Sequence, residues 1–325
     1  MTRAADGTPE STATAARGDV GGALAIQARD ALGIDDLHRF DGLALYVRRG
    51  MGQRPGERRF PGRAQASGVE VESYSAYTPG DDLRHIDWNA VGRLDTLLIR
   101  RFTAEREVLF HLLLDVSASM DAPPADGKLA SARALTLALA YIGLAASDAV
   151  RVACLGDGTP ITSPVYRQRR SALAVARLLA GTEVGGRLAI GAALEDYARR
   201  HGESGAALVV SDFMTDPAEV ERGVLALQAR RFEVHLLHLV GASELDPAGS
   251  FTRGMLVDVE TGALHPMTLT TSVAARYHEV LEQHLAALRA VAERTRCSYS
   301  RYVAGTDLAA FITGDLAAHG LVRRR

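Results

Sequence analysis

The stretch from residue 108 to 120, V-L-F-H-L-L-L-D-V-S-A-S-M, constrains the fold of this chain more than any other. An almost unbroken apolar run ends at Asp115 and is followed by Ser117 and Ser119. A continuous apolar run bounded by polar residues is typical of a strand buried on both faces, as in a parallel sheet. Asp115 is therefore predicted to lie at the carboxyl end of a central strand, where open α/β sheets hold their ligands.

The polar residues after this run support two interpretations. Asp115, Ser117 and Ser119 carry hard oxygen atoms, which suit Mg²⁺, Mn²⁺ or Ca²⁺ better than zinc. Aspartate and serine after a strand are also common helix caps and turn residues. A second apolar run, 208–211, ends just before Asp212. Two parallel strands that end at one sheet edge would bring both carboxylates to a single ion, which favours a metal site.

Strand-like and helix-like segments alternate after residue 108. Strands are predicted at 149–155, 161–165, 206–211, 232–240 and 298–303, with a hairpin at 255–260 and 263–268. Helices are predicted at 128–146, 170–180, 188–200, 217–230 and 273–296. This alternation predicts an α/β fold, with a mostly parallel sheet and helices on both of its faces.

Three regions are predicted along the chain. Residues 1–20, rich in Ala, Thr, Ser and Gly, are predicted to be a disordered tail. Residues 21–104 are predicted to be a helical and β-rich region containing a small β-rich subdomain, and residues 105–320 to be the α/β domain. Apolar residues follow helical spacing from 23 to about 49, with a break at Gly33, and Trp88, the only tryptophan, is predicted to lie in the core.

The block from residue 74 to 120 resembles a known family. It contains Y-S-A-Y-T-P-G-D-D-L-R-H-I-D-W at 74–88 and L-I-R-R-F at 98–102, ahead of the D-x-S-x-S string at 115–119. These residues are similar to the signature of the bacterial domain-of-unknown-function-58 family. The D-x-S-x-S string with a later aspartate resembles the metal-ion-dependent adhesion site of von Willebrand factor type A domains. The resemblance implies a von Willebrand factor type A-like (Rossmann-like) fold and a MoxR-type AAA+ ATPase as partner in assembling or maturing other proteins.

The same resemblance implies roles for four residues. Ser117 and Ser119 would bind Mg²⁺ directly, with Mn²⁺ and Ca²⁺ as the other candidate ions, and Asp115 and Asp212 would hold it mainly through waters. An acidic side chain of a partner protein would take the open coordination position. The resemblance therefore implies a non-enzymatic protein-interaction module.

The chain departs from the family pattern on one loop. Family members usually place a threonine after a pair of glycines, whereas this chain has Arg187 and Leu188, neither of which supplies an oxygen. One hypothesis is that Arg187 reaches towards Asp115 and Asp212, relieves their repulsion and attracts a partner carboxylate through paired hydrogen bonds. The alternative is that Arg187 faces solvent and the ion site is weak.

Composition excludes several classes of function. The net charge is −2, so the chain has no electrostatic footprint for nucleic acid. No uninterrupted run of about 18 apolar residues is present, so direct membrane insertion is not expected. Two distant cysteines fit a reducing compartment, and a cytoplasmic location is expected.

The enzymatic alternative is a magnesium-dependent phosphohydrolase with Asp115 as nucleophile. Phosphatases of the haloacid-dehalogenase type also begin with an aspartate at a strand end, but they require a second acidic residue where Ser117 stands. The Gly127-Lys128 pair lacks the rest of a phosphate loop, and no G-x-S-x-G string is present. A binding function is therefore preferred.

Overall fold

The computed structural model describes residues 34–47, 71–78, 86–94, 96–102, 108–203, 205–247, 252–259 and 262–325. Its strands are β1 Leu43–Leu45, β2 Val71–Ala76, β3 Leu98–Phe102, β4 Leu109–Asp115, β5 Ala149–Leu155, β6 Ile161–Thr162, β7 Ala206–Ser211, β8 Glu233–Val240, β9 Arg253–Val257, β10 Leu264–Thr268, β11 Ser298–Val303 and β12 Val322–Arg324. Its α-helices are α1 Trp88–Leu94, α2 Lys128–Ala145, α3 Ala172–Gly181, α4 Ile190–Arg200, α5 Pro217–Ala229, α6 Ala242–Leu245, α7 Thr271–Thr295 and α8 Leu308–Ala310. The predicted tail at 1–20 and the signature residues 79–85 lie outside the described residues.

A six-stranded sheet in the order β6-β5-β4-β7-β8-β11 forms the centre of the fold. All neighbouring pairs are parallel except β5 and β6, which are antiparallel. In order of appearance these strands lie 3-2-1-4-5-6, the arrangement of doubly wound α/β sheets. The strand order reverses between β4 and β7. The predicted von Willebrand factor type A-like, mostly parallel α/β fold is confirmed by this topology.

Helices cover both faces of the sheet, and side chains of β4 pack into both layers of the core. Phe110, Leu112 and Leu114 point into the layer that contains α2 and α3, and all three are fully buried. Leu113 points into the opposite layer, with buried residues of α4, α5 and α7. A strand that alternates between two apolar layers must be apolar at nearly every position. This explains the run that ends at Asp115.

The first described segment joins the main core. A 3₁₀ helix at Ile34–Phe40 precedes β1, and β1 pairs antiparallel with β12 near the other end of the chain. Leu37 and Phe40 are fully buried in the same layer as α2. The predicted helical spacing through residue 49 is wrong here: the positive φ of Gly42, +79°, breaks the helix, and the distant β12 recruits the following residues as a strand.

The small β-rich piece forms as expected, but the prediction for Trp88 is wrong. β2 and β3 make a two-stranded antiparallel sheet. Helix α1 begins at Trp88 and has no buried residue, and the Trp88 side chain is 66% exposed. Among the described residues, no second layer covers this short helix and buries the indole. The apolar character of Trp88 therefore does not place it in the core.

One described helical stretch, Pro124–Ala145, is long and apolar enough to cross a membrane by length and composition, with a mean hydropathy of 1.3. Within the fold, 83% of its apolar window is buried. The stretch contains α2, which packs against β4 and β5. Its hydropathy thus matches that of a core helix.

The approach of β7 to β4 depends on Gly205. A β-carbon at this position would collide with the carbonyl oxygen of Leu109, a backbone atom that cannot move without the strand. We expect Gly205→Ala to lower the free energy of unfolding by about 1–3 kcal/mol, as overpacking does elsewhere. Urea denaturation measures the difference. Gly202→Ala is the matched control, because nothing lies within 4 Å of its β-carbon. Equal stability of the two variants would contradict the prediction.

Candidate functional site

The carboxyl ends of β4 and β7 place two polar residues side by side. Leu114 pairs with Val210, so the next residues, Asp115 and Ser211, are neighbours across the two strands. Ser211 donates a hydrogen bond from Oγ to Asp115 Oδ2 at 2.6 Å. Asp115 is 4% exposed and Ser211 1%. The site therefore lies at the point where the strand order reverses, which is where doubly wound sheets bind ligands.

The D-x-S-x-S loop folds back onto Asp115. Ser117 donates to Asp115 Oδ1 from its backbone N at 2.8 Å and from its Oγ at 2.6 Å. The hydroxyls of Ser117 and Ser119 lie 3.1 Å apart. Ser117 precedes a short 3₁₀ turn at Ala118–Asp121, yet its side chain makes no capping hydrogen bond. The helix-cap interpretation therefore does not account for Ser117.

Asp212 is brought to the same edge but is paired with a lysine. Its Oδ1 accepts a hydrogen bond from the backbone N of Met214 at 3.2 Å, and its Oδ2 accepts one from Lys128 Nζ at 3.1 Å. The side chains of Lys128 and Asp212 are 1% and 3% exposed. Lys128 also contacts Glu244 Oε1 at 2.5 Å. The sequence placed Asp212 correctly at this edge, but it did not predict that a buried ammonium group holds it.

A small cleft opens between these residues. Its lining consists of Asp115, Ser117, Ser119, Leu188, Ile190, Ser211, Asp212, Phe213, Met214 and Thr215. Its open volume is about 10 Å³, roughly the room that one water molecule needs. All four predicted metal-site residues therefore share one cleft of the size of a single ion or water.

The donor set fits a small divalent cation. In octahedral coordination at about 2.1 Å, two adjacent ligands of Mg²⁺ are about 3 Å apart, and the Ser117 and Ser119 hydroxyls are separated by 3.1 Å. Because Ser117 Oγ donates its hydrogen bond to Asp115, it can only accept the one that it shares with Ser119, and one lone pair of its oxygen is left to face an ion. Two hydroxyls at this spacing are a starting set of ligands, which a partner and waters would have to complete.

The glycine-rich loop before α4 forms one wall of the cleft. Gly186 O accepts a hydrogen bond from Ala118 N at 3.0 Å, so the loop is fastened to the D-x-S-x-S segment. Gly186 has a φ of +68°, and a β-carbon there would meet Asp157. Leu188 faces the cleft, whereas Arg187 is exposed and is not part of the lining. The proposed approach of Arg187 to the two aspartates stays a prediction.

Thr215 is a lining residue that the sequence reasoning missed. Phe213 adopts a left-handed conformation with a φ of +46°. The backbone N of Thr215 donates to Phe213 O at 2.7 Å, which closes a tight turn just after Asp212. Lys128 and Glu244 were also missed. The available signals were weak: one lysine at the start of an apolar helix, and a threonine three residues after an aspartate.

Burial controls the charge of the site. Burial, and next the nearby charge of Asp212, raise the pKa of Asp115 to about 6, against the lowering effect of its hydrogen bonds from Ser117 and Ser211. Burial alone would lower the pKa of Lys128, but the negative charges of Asp212 and Glu244 reverse this and raise it. Lys128 is therefore a permanent cation at neutral pH, and Asp115 becomes fully charged only above its raised pKa.

Comparison with known proteins supports the family resemblance. A family model described as "Protein of unknown function DUF58" matches residues 73–287, which is more than half of the chain. Uncharacterized proteins of Mycobacterium tuberculosis and Mycobacterium bovis are 26% identical over 230 residues, covering 67% of this chain and 69% of each relative. The resemblance predicted from residues 74–120 is confirmed.

Similar solved structures include the conserved hypothetical protein BatB of Bacteroides thetaiotaomicron, with a TM-score of 0.41 at 15% identity, covering 66% of this chain and 98% of that one. An aerotolerance-related membrane protein of Bacteroides fragilis has a TM-score of 0.39 at 15% identity, with 66% and 98% coverage. The SpRpn10 VWA domain has a TM-score of 0.37 at 11% identity, with 65% and 95% coverage.

Because the pKa of Asp115 is raised, we expect the free energy of unfolding to depend on pH. Its ordinary pKa is 3.8 and its folded value is about 6, so the folded state binds more protons than the unfolded state between these values. The free energy of unfolding should therefore fall as pH rises through this window, by up to about 3 kcal/mol. Asp115→Asn should lack this component.

Urea denaturation from pH 4 to 8 in EDTA measures this component as the difference in the free energy of unfolding between the wild-type protein and the Asp115→Asn variant. A constant offset between the two proteins over this range would contradict the raised pKa of Asp115.

Proposed function

We propose that this chain, which belongs to the DUF58 family, is a non-enzymatic protein-interaction module that grips an acidic side chain of a partner at the Asp115 end of its sheet. The observation that carries the proposal is the pair of Ser117 and Ser119 hydroxyls, 3.1 Å apart in a cleft at the sheet switch point. Neutral oxygens at this spacing suit a cation that still has room for a further ligand.

Mg²⁺ is the proposed ion, with Mn²⁺ and Ca²⁺ as alternatives. Ser117 and Ser119 would hold it directly, Asp115 and Asp212 would hold it mainly through waters, and the Thr215 hydroxyl lies in the same lining. When bound, the ion supplies a positive charge that a carboxylate can coordinate. The residues of this chain orient the hydroxyls: Asp115 Oδ1 accepts a hydrogen bond from Ser117 Oγ, and Asp115 Oδ2 accepts one from Ser211 Oγ.

The surroundings of Asp115 favour binding over phosphoryl transfer. A nucleophilic carboxylate needs a free oxygen that can reach the substrate. Here Oδ1 accepts two hydrogen bonds from Ser117, Oδ2 accepts one from Ser211, and the residue is 4% exposed. Asp115, the nucleophile of the phosphohydrolase alternative, is therefore buried and has both of its oxygens engaged in hydrogen bonds.

Apolar residues at the rim of the cleft indicate which kind of side chain lies next to the acidic residue of the partner. Met214 lines the cleft and is 54% exposed, and Leu188 lies on the glycine-rich loop. An exposed methionine next to polar groups is an adaptable apolar contact. The partner segment is proposed to carry an apolar side chain beside its aspartate or glutamate.

The partner proposed from the family is a MoxR-type AAA+ ATPase, acting with this chain in the assembly or maturation of other proteins. An acidic residue of the ATPase would enter the cleft. A cytoplasmic location, with any attachment to a membrane made through a partner, stays a prediction.

The partner proposal is tested by capture of the MoxR-type ATPase from the same organism in Mg²⁺ buffer. Asp115→Ala combined with Ser117→Ala should reduce capture at least about tenfold, because one lost charge-dependent contact is worth more than about 1.4 kcal/mol. Glu279→Ala combined with Thr313→Ala is the matched control, since both residues are exposed and neither lines the cleft. Unchanged capture by a folded Asp115/Ser117 variant would exclude this edge as the docking surface.

The absence of catalysis is tested with generic phosphate esters and Mg²⁺. The purified protein is expected to leave them intact, because both oxygens of Asp115 are engaged. Steady-state release of phosphate is the measurement. Turnover that disappears in Asp115→Asn would reject the binding proposal and support the phosphohydrolase.

A further inference from the structure

We propose that Lys128 is a built-in counter-cation that sets how tightly the cleft binds a divalent ion, and that Glu244 sets how much of the Lys128 charge Asp212 receives. The inference rests on the proposed adhesion site and adds its regulation. It assigns a positioning role to two residues that do not line the cleft.

Lys128 pairs with Asp212 but does not line the cleft. Its Nζ lies 3.1 Å from Asp212 Oδ2, while the other oxygen of Asp212 accepts the backbone N of Met214. Lys128 is 2% exposed and is absent from the cleft lining, although Asp212 is part of it. The ammonium group can therefore offset the negative charge of Asp212, but it cannot itself contact a partner in the cleft.

Glu244 competes with Asp212 for the same ammonium group. Its Oε1 lies 2.5 Å from Lys128 Nζ, and its Oε2 accepts a hydrogen bond from Gly241 N at 2.7 Å. Tyr277 OH donates to the backbone oxygen of Glu244 at 2.8 Å, which fastens α6 to α7. Because Glu244 is held by its own backbone contacts, it keeps Lys128 between two carboxylates instead of releasing it to Asp212 alone.

A second tie fixes α6 to the segment just before Lys128. Asp126 accepts hydrogen bonds from Ser243 N at 3.2 Å and from Ser243 Oγ at 2.6 Å. Gly127 follows with a left-handed φ of 62° and is the N-cap residue of α2. These hydrogen bonds therefore fix the positions of Lys128 and Glu244 relative to each other. The sharing of the Lys128 charge between Asp212 and Glu244 follows from this local structure.

This charge balance affects an ion in the cleft. A cation held by neutral hydroxyls gains affinity from every uncompensated carboxylate nearby. With Lys128 on Asp212, Asp115 is the carboxylate of the cleft whose charge is not countered by a lysine. The ion is then bound weakly by the chain itself and depends more on the carboxylate that a partner brings. Lys128 thereby makes ion binding and partner binding mutually dependent.

Titration calorimetry with Mg²⁺ alone tests the proposal, because substitutions on the two sides of the ammonium group should act in opposite directions. Lys128→Met should tighten Mg²⁺ binding by about tenfold or more, because the negative charge of Asp212 is then no longer offset by the ammonium group. This magnitude assumes an effective dielectric constant of about 20. Glu244→Gln should weaken it, because Lys128 then pairs with Asp212 only. Lys128→Arg, which keeps the charge, should remain within about threefold of wild type.

The double variant Lys128→Met/Glu244→Gln guards against a folding defect, because it removes one positive and one negative charge together. It should still bind Mg²⁺ more tightly than wild type, whereas an effect of net charge alone would leave the affinity unchanged. Weaker or unchanged Mg²⁺ binding by a folded double variant would overturn the proposal. Weaker or unchanged binding by a folded Lys128→Met protein would also overturn it, as would no binding by any variant. Mg²⁺ is the only ligand here, so failure of the ATPase capture experiment would reject the proposed function without altering this result.

Discussion

The site depends on a single buried carboxylate. Asp115 lies at the end of the central strand β4, is 4% exposed, and receives hydrogen bonds from Ser117 N, Ser117 Oγ and Ser211 Oγ. A buried charge without such partners would be strongly destabilising. The same bonds that stabilise Asp115 also tie β4 to β7 and fold the D-x-S-x-S loop inward. The same contacts therefore stabilise the fold and build the site. The spacing of the hydroxyls, which suits a cation, results from the hydrogen bonds that Asp115 accepts.

A second buried charge organises the other half of the site. Lys128 at the start of α2 links Asp212, from the end of β7, to Glu244, which follows β8. Buried ion pairs add little net stability compared with apolar packing, but removing one partner is costly. The value of Lys128 here is geometric and electrostatic: it joins three elements at the ligand edge and offsets one of the two carboxylates of the cleft. The ion affinity of this edge is therefore a property of the whole cluster and not only of its lining.

Local pattern explains which predictions succeeded. The four inner strands β4, β5, β7 and β8 were recognisable because a strand buried on both faces must be apolar at nearly every position. Alternate residues of β4, for example, pack into the two layers of the core. The aspartates were placed at one edge because parallel strands end together. The helix expected through residue 49 failed because β1 is a strand only by pairing with β12. Trp88 was misplaced for a related reason: its apolar character could not reveal that α1 buries none of its residues against the described part of the chain.

The sequence by itself determined the α/β class, the family, and the positions of Asp115, Ser117, Ser119 and Asp212 at one sheet edge. The α/β class and these positions follow from periodicity and from strand ends, which are local properties of the chain. The family follows from the resemblance of residues 74–120 to its signature. Only the tertiary structure decided that Lys128 links Asp212 to Glu244, and that Leu188 and Thr215 are part of the cleft lining. Lys128 and Glu244 are 116 positions apart, and nothing in the sequence around either residue encodes the other. Their meeting is set by the packing of α2 and α6 at the edge of the sheet, because a buried charge can be placed only where folding brings its partners.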